Sequence, residues 1–476
     1  MNRKAVLNVL GRILLYFSLV FIIPVAVAFY YEESTKPFLI SMAASFFLGF
    51  LFYFVSRKAE IEIRYKEGYA IVGLGWLLVS MIGAVPYLFV GLDYFDAFFE
   101  AMSGFTTTGA TVFDSVEDLP KSILIWRSLT QWLGGMGIIV LFVAILPSLA
   151  KSGYALLQAE VPGIKLTRLK PRLRDTAITL YLIYLFFTLL EAAILKFLGV
   201  SLFDAINHAF TTLSTGGFST HTESIAYYNN PAIEATIFVF MIIGGTNFAL
   251  FYYIFNRNFK ILEDAEFKAY ILILLTASAI LTVINFEELN LQALRYSFFQ
   301  AASVMTTTGY TTADFDQWND AAKILLLMLM FVGGSSGSTG GGIKVIRIYL
   351  LSTYSLLQIM KSAEPRTVRV VKYGEEIVEK EAFSAITSFF SLYIMIFAIS
   401  SFLISLFGYD LLTSISAVAA CINNVGPGMG LVGASESYSA LHDLAKLILS
   451  IDMWVGRLEV FTVLALFIPS FWREKW

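Results

Sequence analysis

The chain of 476 residues contains a single cysteine, Cys421, which excludes a disulfide framework and a cysteine-built metal site. Its three histidines, His208, His221 and His442, lie far apart in sequence and give little basis for a histidine metal centre or proton relay. Charge is also scarce: 14% of residues, against about a quarter in ordinary soluble domains. The formal net charge is only −3, so nothing points to a nucleic-acid partner. What fills the chain is apolar. Hydrophobic residues make up 57% and aromatics 16%, a balance that suits lipid-facing helices and interfacial belts. The expected class is therefore an all-α integral membrane protein.

A stretch of about 20 apolar residues crosses a bilayer. Ten such spans can be read, near 11–31, 37–56, 69–91, 122–147, 176–199, 232–255, 268–286, 322–350 (interrupted), 383–407 and 443–470. The first follows Met1–Lys4 and ends near Ala26–Ala28, a pattern shared by secretory signals and retained first helices. The second apolar run follows at once, which favours a retained hairpin. Four shorter, more polar segments, near 93–105, 201–213, 291–305 and 410–422, sit between successive pairs of the later spans. Each is too short to cross and is expected as a half-helix.

Each half-helix leads into a strip rich in hydroxyl, amide and glycine: Thr106–Thr111 (TTTGAT), Ser214–Ser219 (STGGFS), Thr306–Thr311 (TTTGYT) and Asn423–Gly428 (NNVGPG). Phe95-Asp96-Ala97 and Phe203-Asp204-Ala205 align the first two copies without a gap and pair Gly109 with Gly217. Gly309 and Gly426 complete the set, with spacings of 108, 92 and 117 residues. The repeating unit is helix, half-helix, strip, helix. It divides the chain into an N-terminal hairpin (1–66) and four repeats (67–150, 151–258, 259–360 with a broken second helix, and 361–476). Asp96 and Asp204 fall at half-helix starts, where a carboxylate complements the dipole.

Basic residues orient the chain. Arg3, Lys4, Arg12, Arg57, Lys58, Arg64, Lys66, the run Lys151–Arg174, Arg257, Lys260, Lys268 and the run Lys344–Lys380 all fall on one side of the ten-span arrangement. So do Arg473 and Lys475. Both termini are then cytoplasmic, and the strips enter from the outside beside Asp114, Glu117, Asp118, Asp314, Asp316 and Asp320. Such acidic loops either concentrate cations or are ordinary solvated loops.

Non-helical backbone at membrane depth is tolerated only in protein or along a watery path. Four copies suggest four walls around one axis, with carbonyls replacing the water shell of a cation. Without such a ring, a bare ion faces a cost on the order of tens of kcal/mol. The candidate ring residues are Thr107, Thr108 and Gly109; Thr215, Gly216 and Gly217; Thr307, Thr308 and Gly309; and Asn424, Val425 and Gly426. TTTGYT approaches the TVGYG filter of tetrameric potassium channels but lacks its second glycine, so a shorter and less selective filter is expected.

The eighth span contains Gly333–Gly342 (GGSSGSTGGG), which cannot hold a helix at bilayer centre. Two readings remain open: a mobile barrier beneath the strips, built on Gly333, Gly334, Gly337, Gly340, Gly341 and Gly342, or a static broken helix. Arg457 lies inside the last span and needs a partner, either the glycine loop or a structural acid. Arg127 and Lys196 are expected to snorkel from helix ends.

The four strips, GGSSGSTGGGIKVIR (Gly333–Arg347) and VGRLEVF (Val455–Phe461) resemble the Trk/Ktr/HKT superfamily of potassium transporters. The two extra N-terminal helices resemble its TrkH subtype rather than KtrB. The resemblance spans essentially the whole chain. It implies a pseudo-fourfold pore of four M1-P-M2 repeats with Gly109, Gly217, Gly309 and Gly426 at the filter. It further implies an intramembrane gating loop beside Arg457, potassium as the transported ion with no organic cofactor, and a homodimer with one pore per protomer. A separate cytoplasmic TrkA-type partner binding NAD(H) or adenine nucleotides and a bacterial-type inner membrane are implied as well. Within this resemblance the fourth strip departs most, through Asn423, Asn424 and Pro427.

Two other classes compete. A secondary transporter of an organic solute also uses broken helices, but its inverted repeats are absent, since the four units run in one direction. An intramembrane enzyme lacks a nucleophile and base set.

Overall fold

The computed structural model describes residues 1–58, 63–149, 173–258, 263–285, 290–364, 370–374, 376–378 and 380–473. The basic residues Lys151–Arg172 and the expected boundary at 150/151 lie outside the described residues.

The architecture is helical. A hairpin of α1 (Arg3–Val20), α2 (Ile22–Tyr30) and α3 (Lys36–Ser56) opens the chain. Its arms touch at glycines: a Cβ on Gly11 would lie 2.6 Å from Tyr53 N, and one on Gly49 would lie 2.9 Å from Gly11 O. Small residues let apolar helices approach this closely where no hydrophobic effect draws them together. The first span starts earlier than its apolar run and extends from Arg3 to Tyr30.

The first quarter comprises α4 (Tyr65–Leu88), the half-helix α5 (Tyr94–Phe105) and α6 (Lys121–Leu149). The second has α7 (Leu173–Phe197), half-helix α8 (Leu202–Leu213), α9 (Pro231–Gly244) and α10 (Phe248–Phe255). The third has α11 (Ala265–Asn285), half-helix α12 (Leu291–Met305), α13 (Asp320–Val332) and α14 (Val345–Ala363). A two-residue hairpin, β1 (Lys372–Tyr373) with β2 (Glu376–Ile377), precedes the fourth. That quarter has α15 (Lys380–Ser405), half-helix α16 (Leu411–Ile422), α17 (Asp443–Leu458) and α18 (Val460–Ala465).

Six described helices are long and apolar enough to cross a membrane, or seven when α9 and α10 count as one span bent by 100°. The expected spans 232–255 and 443–470 are thus not continuous. At Gly245–Asn247 the Asn247 side chain caps α10, and the Gly244 and Gly245 carbonyls turn to accept Thr339 N at 3.2 Å and Ser335 N at 2.8 Å from the glycine loop. The last span breaks at Glu459 (φ +69°), whose carboxylate meets Arg347 at 2.8 Å.

The half-helices share one design. Each begins with a side-chain cap, from Asp93, Ser201, Asn290 and Asp410, which satisfies an orphan N–H of the first turn. Asp96 and Asp204, three residues after the capping residues, lie in the first turn as expected, where a carboxylate complements the dipole. Each half-helix also ends the same way. Thr107, Thr215, Thr307 and Asn424 donate their N–H to the carbonyls of Gly104, Thr212, Val304 and Cys421 at 2.9–3.1 Å. The following residues, Thr108, Gly216, Thr308 and Val425, donate to Ser103, Thr211, Ser303 and Ala420 at 2.8–2.9 Å. This is a Schellman closure, which calls for a left-handed residue and normally uses glycine there.

Candidate ion path and its barrier

That left-handed position is filled by Thr107 (φ +54°), Thr215 (+54°), Thr307 (+61°) and Asn424 (+56°). For a β-branched residue such a φ is a strained conformation, at about 1–3 kcal/mol each, held only where the surroundings over-determine it. Two residues on, Gly109 (+85°), Gly217 (+78°), Gly309 (+80°) and Gly426 (+104°) are left-handed as well. The four strips therefore share one backbone path in one register.

They also meet. A Cβ on Gly109 would lie 2.2 Å from Gly216 O, and one on Gly217 would lie 1.9 Å from Thr308 O. From Gly309 the distance is 2.0 Å to Val425 O, and from Gly426 it is 2.7 Å to Thr108 O. The contacts run first to second, second to third, third to fourth and fourth to first. A single cavity of ≈ 260 Å³ is lined by Gly109, Gly217, Gly309 and Gly426 together. No Cβ fits at these positions, because a neighbouring carbonyl already occupies the space.

The strips are buried at Thr106–Thr108, Ser214–Gly216, Thr306–Thr308 and Asn423–Gly426, while Gly109, Gly217 and Gly309 are partly exposed. Thr307 Oγ1 accepts from Gly341 N at 2.7 Å, and Thr215 Oγ1 bonds Ser214 O at 2.6 Å. Among the described residues, Thr107 Oγ1 and Asn424 Oδ1 are buried without a hydrogen-bond partner. Asn424 Nδ2 bridges Thr108 Oγ1 and Met453 O, both at 3.0 Å, so the fourth strip is joined to the first through its amide.

Five more side chains fix the outer ends. Glu100, wholly buried in α5, accepts from Val112 N at 3.0 Å and pairs with Arg127 Nε at 2.8 Å. Arg127 continues to Thr111 Oγ1 (3.1 Å) and Ser219 O (3.2 Å), with its guanidinium 4.2 Å from the Phe218 ring. It is 1% exposed, so the snorkelling expectation for Arg127 is wrong: a buried acid, not the interface, holds the charge. Lys196, in the last turn of α7, is exposed as expected. In the third strip Tyr310 Oη bonds Thr211 Oγ1 at 2.5 Å, 3.4 Å from His208 Nδ1. Gln131 and Tyr438 reach the second and fourth strips.

Loops close a second cycle above. Glu117 accepts from Thr222 N at 2.7 Å, Thr311 O accepts from Ala226 N at 3.1 Å, and Asp316 accepts from Gly430 N at 3.1 Å. Asp114 accepts from Ser439 Oγ at 2.7 Å. Hydrogen bonds from the Ser437 and Ser439 hydroxyls hold the Asp114 carboxyl below its usual range. Partial burial pushes Glu117 up, but the Thr222 hydroxyl and N–H outweigh this and lower it to about 2. Both stay ionised at ordinary pH, acting as fasteners and as fixed negative charge.

Beneath the strips lies the glycine loop. Gly333, Gly334, Gly340, Gly341 and Gly342 are buried, and Gly337 is partly buried. Thr339 Oγ1 donates to Leu213 O at 2.8 Å, a Cβ on Gly340 would lie 3.0 Å from Thr306 O, and one on Gly341 would lie 2.3 Å from Asn423 O. The loop thus abuts the ends of three half-helices. Arg457, 4% exposed, donates to Thr339 O at 2.7 Å and to Gly134 O at 3.2 Å, bridging the loop to α6. Glu266 on α11 accepts from Ser336 N at 2.7 Å and Ile346 N at 3.2 Å.

Bent apolar helices, four strips in a closed cycle and a buried polar loop define a helical membrane protein with a polar channel-like centre. Residues 34–474 match the TrkH family, described as cation transport protein. The chain belongs to that family. It is 39% identical to a Salmonella typhimurium protein, "Trk system potassium uptake protein TrkH", over the full length of both chains. It is 37% identical to "Trk system potassium uptake protein TrkG" of Escherichia coli, over 99% of each. Its fold is similar to the crystal structure of the potassium transporter TrkH from Vibrio parahaemolyticus, with a TM-score of 0.91 at 35% identity, covering 99% of this chain and 100% of that one.

Proposed function

We propose that this chain is the ion-conducting membrane subunit of a potassium uptake system, passing K+ and Rb+ down their electrochemical gradient. The observation that carries the reading is the closed cycle of strips, each glycine facing a carbonyl of the next. Backbone oxygens gathered in one closed cycle, with Thr107 Oγ1 and Asn424 Oδ1 unpartnered among the described residues, are what a dehydrated alkali cation requires. Each half-helix directs its negative C-terminal end toward the strips, which adds to the attraction. The relatives' names support potassium as cargo. A membrane potential supplies about 2.3 kcal/mol per charge per 100 mV, enough for uptake without hydrolysis.

In this reading ten spans and four half-helices form four repeats around the pore, with the N-terminal hairpin outside it. Thr107–Gly109, Thr215–Gly217, Thr307–Gly309 and Asn424–Gly426 are the filter. Gly333–Gly342 is the intramembrane gate, held closed through Arg457. The protein sits in a bacterial-type inner membrane with both termini cytoplasmic. It works as a homodimer with a cytoplasmic TrkA-type partner that binds NAD(H) or adenine nucleotides. The organic-solute alternative has no support in the relatives' names. The test is rubidium uptake into proteoliposomes competed by potassium, sodium and lithium. Potassium should compete best. Equal competition by all three, or no uptake at an imposed potential, would end the reading.

A further inference from the structure

Two buried side chains, Tyr438 and Gln131, donate to strip carbonyls at the level of Gly426 and of Gly216. Tyr438, 2% exposed and packed against Phe99 with ring centroids 5.2 Å apart, lies in the loop after the fourth strip. Its hydroxyl donates to Gly426 O at 2.8 Å, while its N–H donates to Thr111 O in the first strip at 2.8 Å. Gln131, wholly buried on α6, donates Nε2 to Gly216 O at 2.6 Å and accepts from Phe218 N at 3.0 Å.

The register of the strips sets Gly216 level with Thr108, Thr308 and Val425, and Gly426 level with Gly109, Gly217 and Gly309. Among the described residues no hydrogen bond reaches the carbonyls of those six other positions. Two successive rings therefore each contain three uncommitted oxygens and one that already accepts a hydrogen bond. The two committed oxygens lie in the second and fourth strips, which are opposite one another in the cycle.

We propose that Tyr438 and Gln131 are positioning residues for ion selection, each fixing one carbonyl of a ring by donating a hydrogen bond to it. This rests on the reading that strip carbonyls face the ion. A carbonyl oxygen has two lone pairs. One committed to a donor leaves one for the cation and ties the oxygen to a rigid neighbour. A smaller cation gains only if the ring contracts around it, and a tethered oxygen resists contraction. The two tethers thus act against sodium.

Glutamine and glycine form one device in the second strip. A Cβ on Gly216 would lie 2.4 Å from the Gln131 carboxamide carbon. The first and third strips carry threonine at this level and the fourth carries valine. The second cannot carry either, because Gln131 occupies that space.

The test uses the full-length protein in proteoliposomes, with radioactive rubidium uptake competed by potassium and sodium. Tyr438→Phe deletes one oxygen. Gln131→Glu keeps the size and the acceptor for Phe218 N but, read at alkaline pH where the carboxyl is ionised, has no donor for Gly216 O. Losing one net hydrogen bond should lower the preference for potassium over sodium about fivefold in each variant, with saturated rubidium uptake retained. Gly216→Ala, which displaces the Gln131 amide, should reproduce Gln131→Glu. A merely structural role would lower thermal stability and uptake together and leave the preference unchanged, and that outcome overturns the inference. Should one variant fail to fold, the other decides. Gly309→Ala separates the two levels of argument. If it lowers the preference while Tyr438→Phe and Gln131→Glu do not, the tethers fail and the filter stands. If it too has no effect, the filter reading fails first.

Discussion

Gly309→Ala is the most direct perturbation of the strip cycle. A methyl group there would sit 2.0 Å from Val425 O and 2.8 Å from Pro427 Cδ, whereas real Cβ atoms essentially never approach below 3.0 Å. The third and fourth strips must therefore separate by roughly 1 Å. Metal–oxygen distances differing by only about 0.3–0.5 Å separate magnesium from calcium, so a shift of that size is large on the scale that distinguishes cations. The expected result is at least a tenfold fall in the preference for potassium over sodium, equivalent to about 1.4 kcal/mol, read by competed rubidium uptake. Backbone strain alone must be removed from the comparison. Gly408 has φ +90° and nothing within 4 Å of its Cβ position, so Gly408→Ala carries a left-handed penalty of about 1–2 kcal/mol without closing on a neighbour. It should leave selectivity intact. A wild-type preference in Gly309→Ala, or an equal loss in Gly408→Ala, would refute the argument that contact between strips sets the choice of ion.

Arg457→Gln should raise basal uptake without altering ion preference, because it weakens the charge-assisted bonds to Thr339 O and Gly134 O that are worth about 1.5–3 kcal/mol each; a folded but silent variant would favour a static loop. Glu266→Ala, which leaves Ser336 N and Ile346 N without their acceptor, should act in the same direction, and a fall in basal uptake would count against it. Breaking the buried pair with Glu100→Gln should cost about 3–5 kcal/mol, visible as a lower melting temperature, and Glu100→Gln with Arg127→Met should be less damaging than the two single losses added together. Because Glu117 is lowered from 4.5 to about 2, its clasp stabilises the fold above pH 4.5 and loses that contribution as pH falls toward 2; Thr222→Ala, which removes the hydroxyl but keeps the main-chain donor, should reduce this part of the acid dependence of the melting temperature.

Much of the helical framework was legible because apolar length and half-helix length are written directly in composition. The strip register was legible too: ungapped alignment on Phe-Asp-Ala paired Gly109 with Gly217, and the left-handed φ values at both agree. What escaped reading was tertiary. The 100° bend at Gly245 needed the glycine loop as hydrogen-bond partner, and that partner lies some 90 residues away in sequence. Arg127 looked like an end-of-helix cation because its acid, Glu100, sits on another element. A glutamate in the middle of the apolar run Ala97–Met102 was nevertheless a usable signal, since a charge is not buried there without a counter-charge. Gln131 and Tyr438 carried no signal of their own. The clue was the second glycine of the second strip, an empty place that something else had to fill. His208 and His221, on either side of the second strip, share Tyr228 in space, with His208 Nε2 3.1 Å from its hydroxyl.

The cycle of four strips is drawn from one polypeptide, and this changes what a single substitution does. In an assembly of four identical chains every replacement appears four times and the wall responds as a whole. Here each replacement enters once, beside three unaltered sides, so damage is diluted and the sides are free to diverge. Asn424, Pro427 and the paired Gly216–Gln131 are examples of such divergence. A mutational scan around the axis should accordingly yield graded, side-dependent selectivity rather than an abrupt switch.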